Sequence, residues 1–117
     1  MNNKELQALR LLFTLSVTEA SEHIAKLKSS RSWQHWEAGK YSVKDDVASF
    51  MLKIADARMN TIEEIENKLS TDNNICLDYY MTFREYSLDF PQGTIIDWRV
   101  SNSISAYFFA EGLIGLS

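Results

Sequence analysis

The sequence predicts a mainly α-helical protein: an N-terminal bundle built around a helix-turn-helix, a long helix leading out of it, and a small α+β part at the C-terminus. Three observations carry that expectation. Apolar residues recur at three- and four-residue spacing through residues 4–69, the mark of helices with one buried face. Helix-start signals, in which a Ser, Thr or Asn is followed three residues later by an acid, recur along the chain. After the polar loop of residues 70–74 the composition shifts to aromatics and short β-prone runs appear.

Taken in order, residues 4–15 place Leu6, Leu9, Leu12 and Phe13 on one helical face, with Asn2 and Glu5 as a start signal. Ser16 and Glu19 form a capping box for a second helix reaching about Ala25, with Val17, Ala20, Ile24 and Leu27 inward. Residues 26–29 are the break; they hold no Gly, so the turn is expected to be longer than the tightest helix-turn-helix. A third helix begins near Ser30 and stops before Gly39, a favoured C-terminal stop. Ser42 reads as the next cap, with Asp45 and Asp46 in the first turn, where the helix dipole favours acids. Val47, Phe50, Met51, Ile54, Arg58, Ile62, Ile65 and Leu69 then share a face, giving the longest helix.

Beyond the loop, residues 75–80 read as a short strand. Thr82 and Glu85 read as another capping box, opening a helix that ends before Pro91. Residues 94–98 read as a second strand or an extended lead-in. A last helix over residues 100–111 carries Ile104, Tyr107, Phe108 and Phe109 and ends at Gly112. The expected division is 1–69 for a helix-turn-helix DNA-binding domain and 75–117 for a dimerisation domain.

The 117 residues suffice for one ordinary domain, or a small domain with an appended piece. No apolar run approaches the length of about 20 residues that spans a bilayer, so no membrane association is expected. Lys4, Glu5 and Arg10 interrupt the first segment, which does not read as a signal peptide. The single Cys76 cannot form an internal disulfide, and a reduced, cytoplasmic setting follows. Net charge is −4, but its distribution matters more than its sum. Residues 23–44 carry Lys26, Lys28, Arg31, Lys40 and Lys44 against Glu37 alone, a net of +4 that leaves −8 on the rest.

That basic island coincides with the third helix. Trp33 and Trp36, three apart, share a face and read as core. Arg31, Gln34 and His35 fall on the other side. Arg can take guanine O6 and N7 together, and Gln can take adenine N6 and N7. Ser30, Ser32, Lys28 and Lys40 suit phosphate oxygens, which set register without carrying sequence information. In the C-terminal part, Tyr79, Tyr80, Phe83, Tyr86, Trp98, Tyr107 and Phe108 exceed what a second small core needs, and aromatics are favoured at interfaces. His23, His35 and Cys76 are the candidates for metal or nucleophilic work, and their spacing matches no standard site. No enzyme, metal or cofactor is therefore expected. A protein-binding adaptor with a vestigial helix-turn-helix is the competing reading.

The helix pair Ser16–Ile24 and Ser32-Trp33-Gln34-His35-Trp36-Glu37-Ala38-Gly39 resembles the lambda-repressor-like helix-turn-helix class, in which a Trp-Glu-x-Gly ending to the third helix is frequent. More narrowly, the chain resembles the YdiL-type family, which includes anti-CRISPR-associated transcriptional repressors. The supporting residues are Asn3-Lys4-Glu5-Leu6-Gln7-Ala8-Leu9-Arg10, Glu22-His23-Ile24, Arg31-Ser32-Trp33-Gln34, Trp36-Glu37, Asp45-Asp46-Val47 and Ile96-Asp97-Trp98-Arg99. The resemblance implies a dimeric repressor that binds inverted repeats in the promoter of its own operon, limiting a neighbouring anti-CRISPR gene. It also implies, for some members, binding of an RNA stem-loop in the transcript. By motif position it gives base contact to Arg31, Gln34 and His35, with Arg31 foremost. The chain departs from the pattern at position 35, His where Tyr is commoner, at position 44, Lys where Pro is common, and in the longer turn of residues 26–29.

Overall fold

A computed structural model describes residues Met1–Ser117. Six helices and two short strands follow in the order α1 (Asn3–Leu12), α2 (Val17–His23), α3 (Arg31–Glu37), α4 (Asp45–Leu69), β1 (Cys76–Leu77), α5 (Phe83–Asp89), α6 (Ile95–Ala110) and β2 (Gly115–Leu116). The chain divides into two compact units, Met1–Asp56 and Ala57–Ser117. The architecture is the mainly α fold with a small C-terminal sheet that the sequence predicts.

In the first unit the starts of α1 and α2 are fixed locally. The Asn2 and Ser16 side chains each accept from the amide three residues on, and Glu5 and Glu19 reach back to the capping amides. The buried apolar side chains are Leu6, Phe13, Leu15, Ala20, Ile24, Trp33, Trp36, Val47, Met51 and Ile54. Leu12 and Phe50, expected on inward faces, are exposed. The start of α4 also differs from expectation. The Ala48 amide donates to the Lys44 carbonyl at 3.0 Å, so the helix is entered at Lys44 and not at Ser42. The Asp46 carboxylate accepts from the Val47 amide at 2.9 Å, serving an orphan donor that would otherwise call for a hydroxyl cap.

One carboxylate ties α1 to α3. Glu37 accepts from Arg10 Nε at 2.6 Å and Nη2 at 3.0 Å, from Trp33 Nε1 at 2.6 Å, and from Gln7 Nε2 at 3.3 Å. Arg10 spends Nη1 on the Leu15 carbonyl at 3.0 Å, fixing the turn into α2. The ion pair is nearly buried, with side-chain exposures of 11% for Arg10 and 9% for Glu37. Burial alone would raise the Glu37 pKa, but the bonds from Arg10 and Trp33, the Arg10 charge and the Gln7 amide outweigh it and hold it below the ordinary value.

In the second unit Ile62, Ile104 and Phe108 form the centre, flanked by Ile65, Leu69, Leu77, Val100 and Ile114. β1 and β2 pair in parallel, Cys76 opposite Gly115 and Leu77 opposite Leu116. The second strand is therefore residues 115–116, not 94–98. Thr94 caps α6 instead: its hydroxyl accepts from the Asp97 amide at 3.1 Å, and Asp97 accepts from the Thr94 amide at 2.9 Å. The β-branched run Thr94-Ile95-Ile96 is overridden by this box, and α6 begins five residues before the expected Val100. At α5 only half the expected box forms, because Glu85 reaches the Met81 amide at 3.2 Å in place of Thr82's own.

Side chains of α6 hold the irregular residues after β1. The Asn102 amide group donates to the Tyr80 carbonyl at 2.8 Å and accepts from the Tyr80 amide at 3.1 Å, as a neighbouring strand would. Trp98 Nε1 donates to the same carbonyl at 2.9 Å, and Ser105 donates to the Asp78 carbonyl at 2.8 Å. An added Cβ at Gly93 would lie 2.5 Å from the Tyr86 ring, so glycine is required where the chain passes that ring.

Breaking a buried ion pair from one side leaves the other charge uncompensated and typically costs about 3–5 kcal/mol. Glu37→Ala should therefore lower stability by about that amount, measured by urea unfolding, with loss of the first unit's cooperative transition. The Glu37 contribution is complete above the ordinary glutamate value of 4.5 and is lost as pH falls through the lowered folded value. The stability gap between wild type and Glu37→Gln should accordingly narrow in acid below that value and stay constant above it.

Candidate nucleic-acid interface

The turn between α2 and α3 occupies residues 24–30, longer than the tightest helix-turn-helix, as the missing Gly suggests. Ser21 organises it. This residue is 2% exposed; its carbonyl accepts from the Leu27 amide at 3.0 Å and its hydroxyl donates to the Ser29 carbonyl at 2.8 Å. Lys26 takes the left-handed conformation, φ +58°, that turns the chain out of α2. The Ser29 hydroxyl then accepts from the Arg31 amide at 3.1 Å, while the Ser30 side chain makes no capping bond.

α3 divides into two faces. Trp33 and Trp36 are buried and meet edge to face, ring centroids 5.6 Å apart. Glu37 lies on the same side, locked to Arg10 and Trp33. Opposite lie Arg31 and Gln34, both exposed, neither side chain bonded to any other group of the chain. His35 is half-buried, its ring edge to face with Tyr41 at 5.3 Å. Ser32, Lys28 and Lys40 are exposed and Ser30 is half-buried. The Lys40 ammonium sits 5.9 Å from the Tyr41 ring centre. Since Glu37, the one acid of residues 23–44, is turned inward and neutralised, the outer face of this stretch carries positive charge without compensation from within it.

Beside α3, an open cleft of about 540 Å³ is lined by Thr18, Glu22, Lys26, Lys28, Ser29 and Ser30, with Ser21 at its base. The Lys26 and Lys28 ammonium groups outnumber the Glu22 carboxylate around this cleft, and with its hydroxyls they suit phosphate oxygens. The end of α3 depends on Gly39: its φ of +75° lets the Lys40 amide reach back to the His35 carbonyl at 2.9 Å. A Cβ there would crowd the Asn3 amide, 3.2 Å away, which donates to the Glu37 carbonyl.

The C-terminal aromatics separate by exposure. Tyr86, Trp98 and Phe108 are buried in the second unit's own core, at 6%, 7% and 0% exposure. Tyr80 and Phe83 are half-buried; Tyr80 donates to Asp89 at 2.6 Å, which pushes its phenol pKa up. Tyr79 and Tyr107 remain exposed, together with Phe109, Phe90, Leu88 and Met81.

The outward residues of α3 are legible in the sequence, whereas the bond from Arg10 to Glu37, the bracing by Ser21 and the Tyr41 ring contact are not. Ser21 gave no signal, being one more polar residue on a short helix. Glu37, four residues after Trp33 on the same face, was the available clue to a buried acid.

No helix is long and apolar enough to cross a membrane. The profile of the Aca2/YdiL-like family matches residues 1–116. The Aca2 repressor of Pectobacterium phage ZF40 is 43% identical over 112 residues, covering 96% of each chain. The uncharacterized protein YdiL of Escherichia coli (strain K12) is 32% identical over 117 residues, covering 97% of each. With a family match over nearly its whole length and two relatives of equal extent, the chain belongs to the Aca2/YdiL-like family.

Proposed function

We propose that this protein is a transcriptional repressor that reads double-stranded DNA with α3, binds inverted repeats as a homodimer and regulates its own operon. The observation that carries the reading is the two-faced α3. Trp33, Trp36 and Glu37 anchor it, and Arg31 and Gln34 project outward with their hydrogen-bonding groups unspent. Membership of a family with a named repressor supports the same conclusion. Arg31 takes a guanine edge, and Gln34 and His35 take neighbouring bases. Lys28, Ser30, Ser32 and Lys40 hold phosphates. Residues 1–69 form the DNA-binding part in this reading.

Residues 75–117 supply the dimer contact. A two-fold dimer presents two copies of α3 about 34 Å apart, one DNA turn, which calls for an inverted repeat. The exposed Tyr79 and Tyr107 are the predicted interface residues free to take part as the chain stands. An RNA stem-loop would meet the same basic face through its phosphates and shape. The adaptor alternative leaves the outward face of α3 unexplained.

The deciding experiment is a gel shift with the DNA upstream of the protein's own gene, repeated across salt concentrations, with a transcript fragment as competitor. Arg31→Ala should cost about 1–3 kcal/mol of binding to the specific site and relax preference at one position of each half-site. Lys28→Ala should weaken binding uniformly across sequences and reduce the salt slope by about 1 per protomer. Binding that is absent in the wild type, or indifferent to Arg31→Ala, would sink the repressor reading.

A further inference from the structure

Tyr41 is 59% exposed, so core burial does not account for its placement. Its ring nonetheless makes a defined contact, edge to face with His35 at a centroid distance of 5.3 Å and an interplanar angle of 66°. The chain is turned to bring it there. Gly39 at φ +75° reverses the backbone after α3, and the Lys40 and Tyr41 amides both point back at the His35 carbonyl, at 2.9 and 3.5 Å. The Lys40 ammonium lies 5.9 Å from the centre of the same ring. Three successive outward features of this corner, an imidazole, a phenol and an ammonium, are thus assembled by the turn that ends α3.

We propose that Tyr41 is a positioning residue for base recognition: its ring fixes the His35 imidazole in one orientation on the outer face of α3. The proposal rests on the DNA-reading role given to α3 above. A base-edge contact needs its side chain held within about 0.5 Å and 10–20° of the productive geometry. His35 stands on the last turn of a seven-residue helix, on its outward side and half-buried, with the Tyr41 ring as its aromatic neighbour. Left alone it would have to be ordered on binding, and the entropy of that ordering would be subtracted from the contact it makes. The Tyr41 ring supplies one wall against the imidazole before DNA arrives. The Lys40 charge beside it suits the phosphate next to the base that His35 would read.

The test measures the full-length protein on its own upstream DNA and on a panel carrying each single base-pair change. The proteins compared are wild type, His35→Ala, Tyr41→Ala, Tyr41→Phe, Tyr41→Leu and the His35→Ala/Tyr41→Ala double variant. His35→Ala should flatten discrimination at one base pair per half-site. Tyr41→Ala should flatten the same base pair by about three- to tenfold, the worth of one edge-to-face ring pair, and leave other positions unchanged. Tyr41→Phe, which keeps the ring, should behave as wild type. The double variant should discriminate no worse than His35→Ala alone. Tyr41→Leu keeps bulk without the aromatic edge and should match Tyr41→Ala, guarding against a variant that simply folds poorly. An equal loss of affinity across the whole panel, or flattening at a base pair that His35→Ala leaves alone, overturns the positioning role. If the wild type ignores this DNA, the reading of α3 itself fails; if it binds and responds to Arg31→Ala while Tyr41→Ala changes nothing, only this inference does.

Discussion

The carboxylate of Glu37 is the constraint on which the first unit depends. It collects donors from α1 through Arg10 and Gln7 and from its own helix through the Trp33 indole. Two of these partners are themselves committed. Arg10 also holds the carbonyl at Leu15, where the chain enters α2, and Trp33 is wholly buried. A seven-residue helix has little stability of its own, since its intrahelical bonds are few and its nucleation cost is spread over little length. α3 persists because one side is fastened by two indoles and a charge-assisted network. That fastening leaves the other side, with the exposed Arg31 and Gln34, free of structural duty.

The same residue shapes the charge of the first unit's surface. Net charge is −4, which disfavours approach to phosphate. Within the basic stretch the single acid is drawn inward and cancelled by Arg10, so it subtracts nothing from the outer face. The turn before α3 adds Lys26 and Lys28 around a cleft, with Ser21 bracing its backbone from below. Positive charge, hydroxyls and two unspent hydrogen-bonding side chains therefore meet on one surface of the first unit.

The second unit is held by a different device. Its α6 buries polar residues, Asn102, Ser103 and Ser105, that would ordinarily be costly. Each is bonded: Asn102 and Ser105 to the backbone at Tyr80 and Asp78, and Ser103 to Arg58 Nε and the Val100 carbonyl. Residues 78–80 thus obtain from helix side chains the partners that a longer sheet would have given them, which is why β1 can stop after two residues. Tyr86, Trp98 and Phe108 are consumed by this packing. The aromatic surplus that remains outside is Tyr79, Tyr107, Phe90 and Phe109.

The sequence by itself determined whatever rests on neighbours three or four residues apart. The boxes at Asn2 and Ser16, the long α4, the stop at Gly39 and the two-faced character of α3 follow from local hydrogen bonding and periodicity, and the structure has them all. Where two local signals compete, the sequence is ambiguous: at residues 94–98 a β-branched run masks a Thr-x-x-Asp box, and at residue 42 a Ser masks the service of Asp46 at the start of α4. Only the tertiary structure decided which residues far apart in sequence share a partner. Arg10 and Glu37 stand 27 positions apart, Tyr80 and Asn102 stand 22 apart, and β1 finds its mate at residues 115–116. No periodicity encodes such pairings, because they are selected by the desolvation cost that each buried polar group would bear alone.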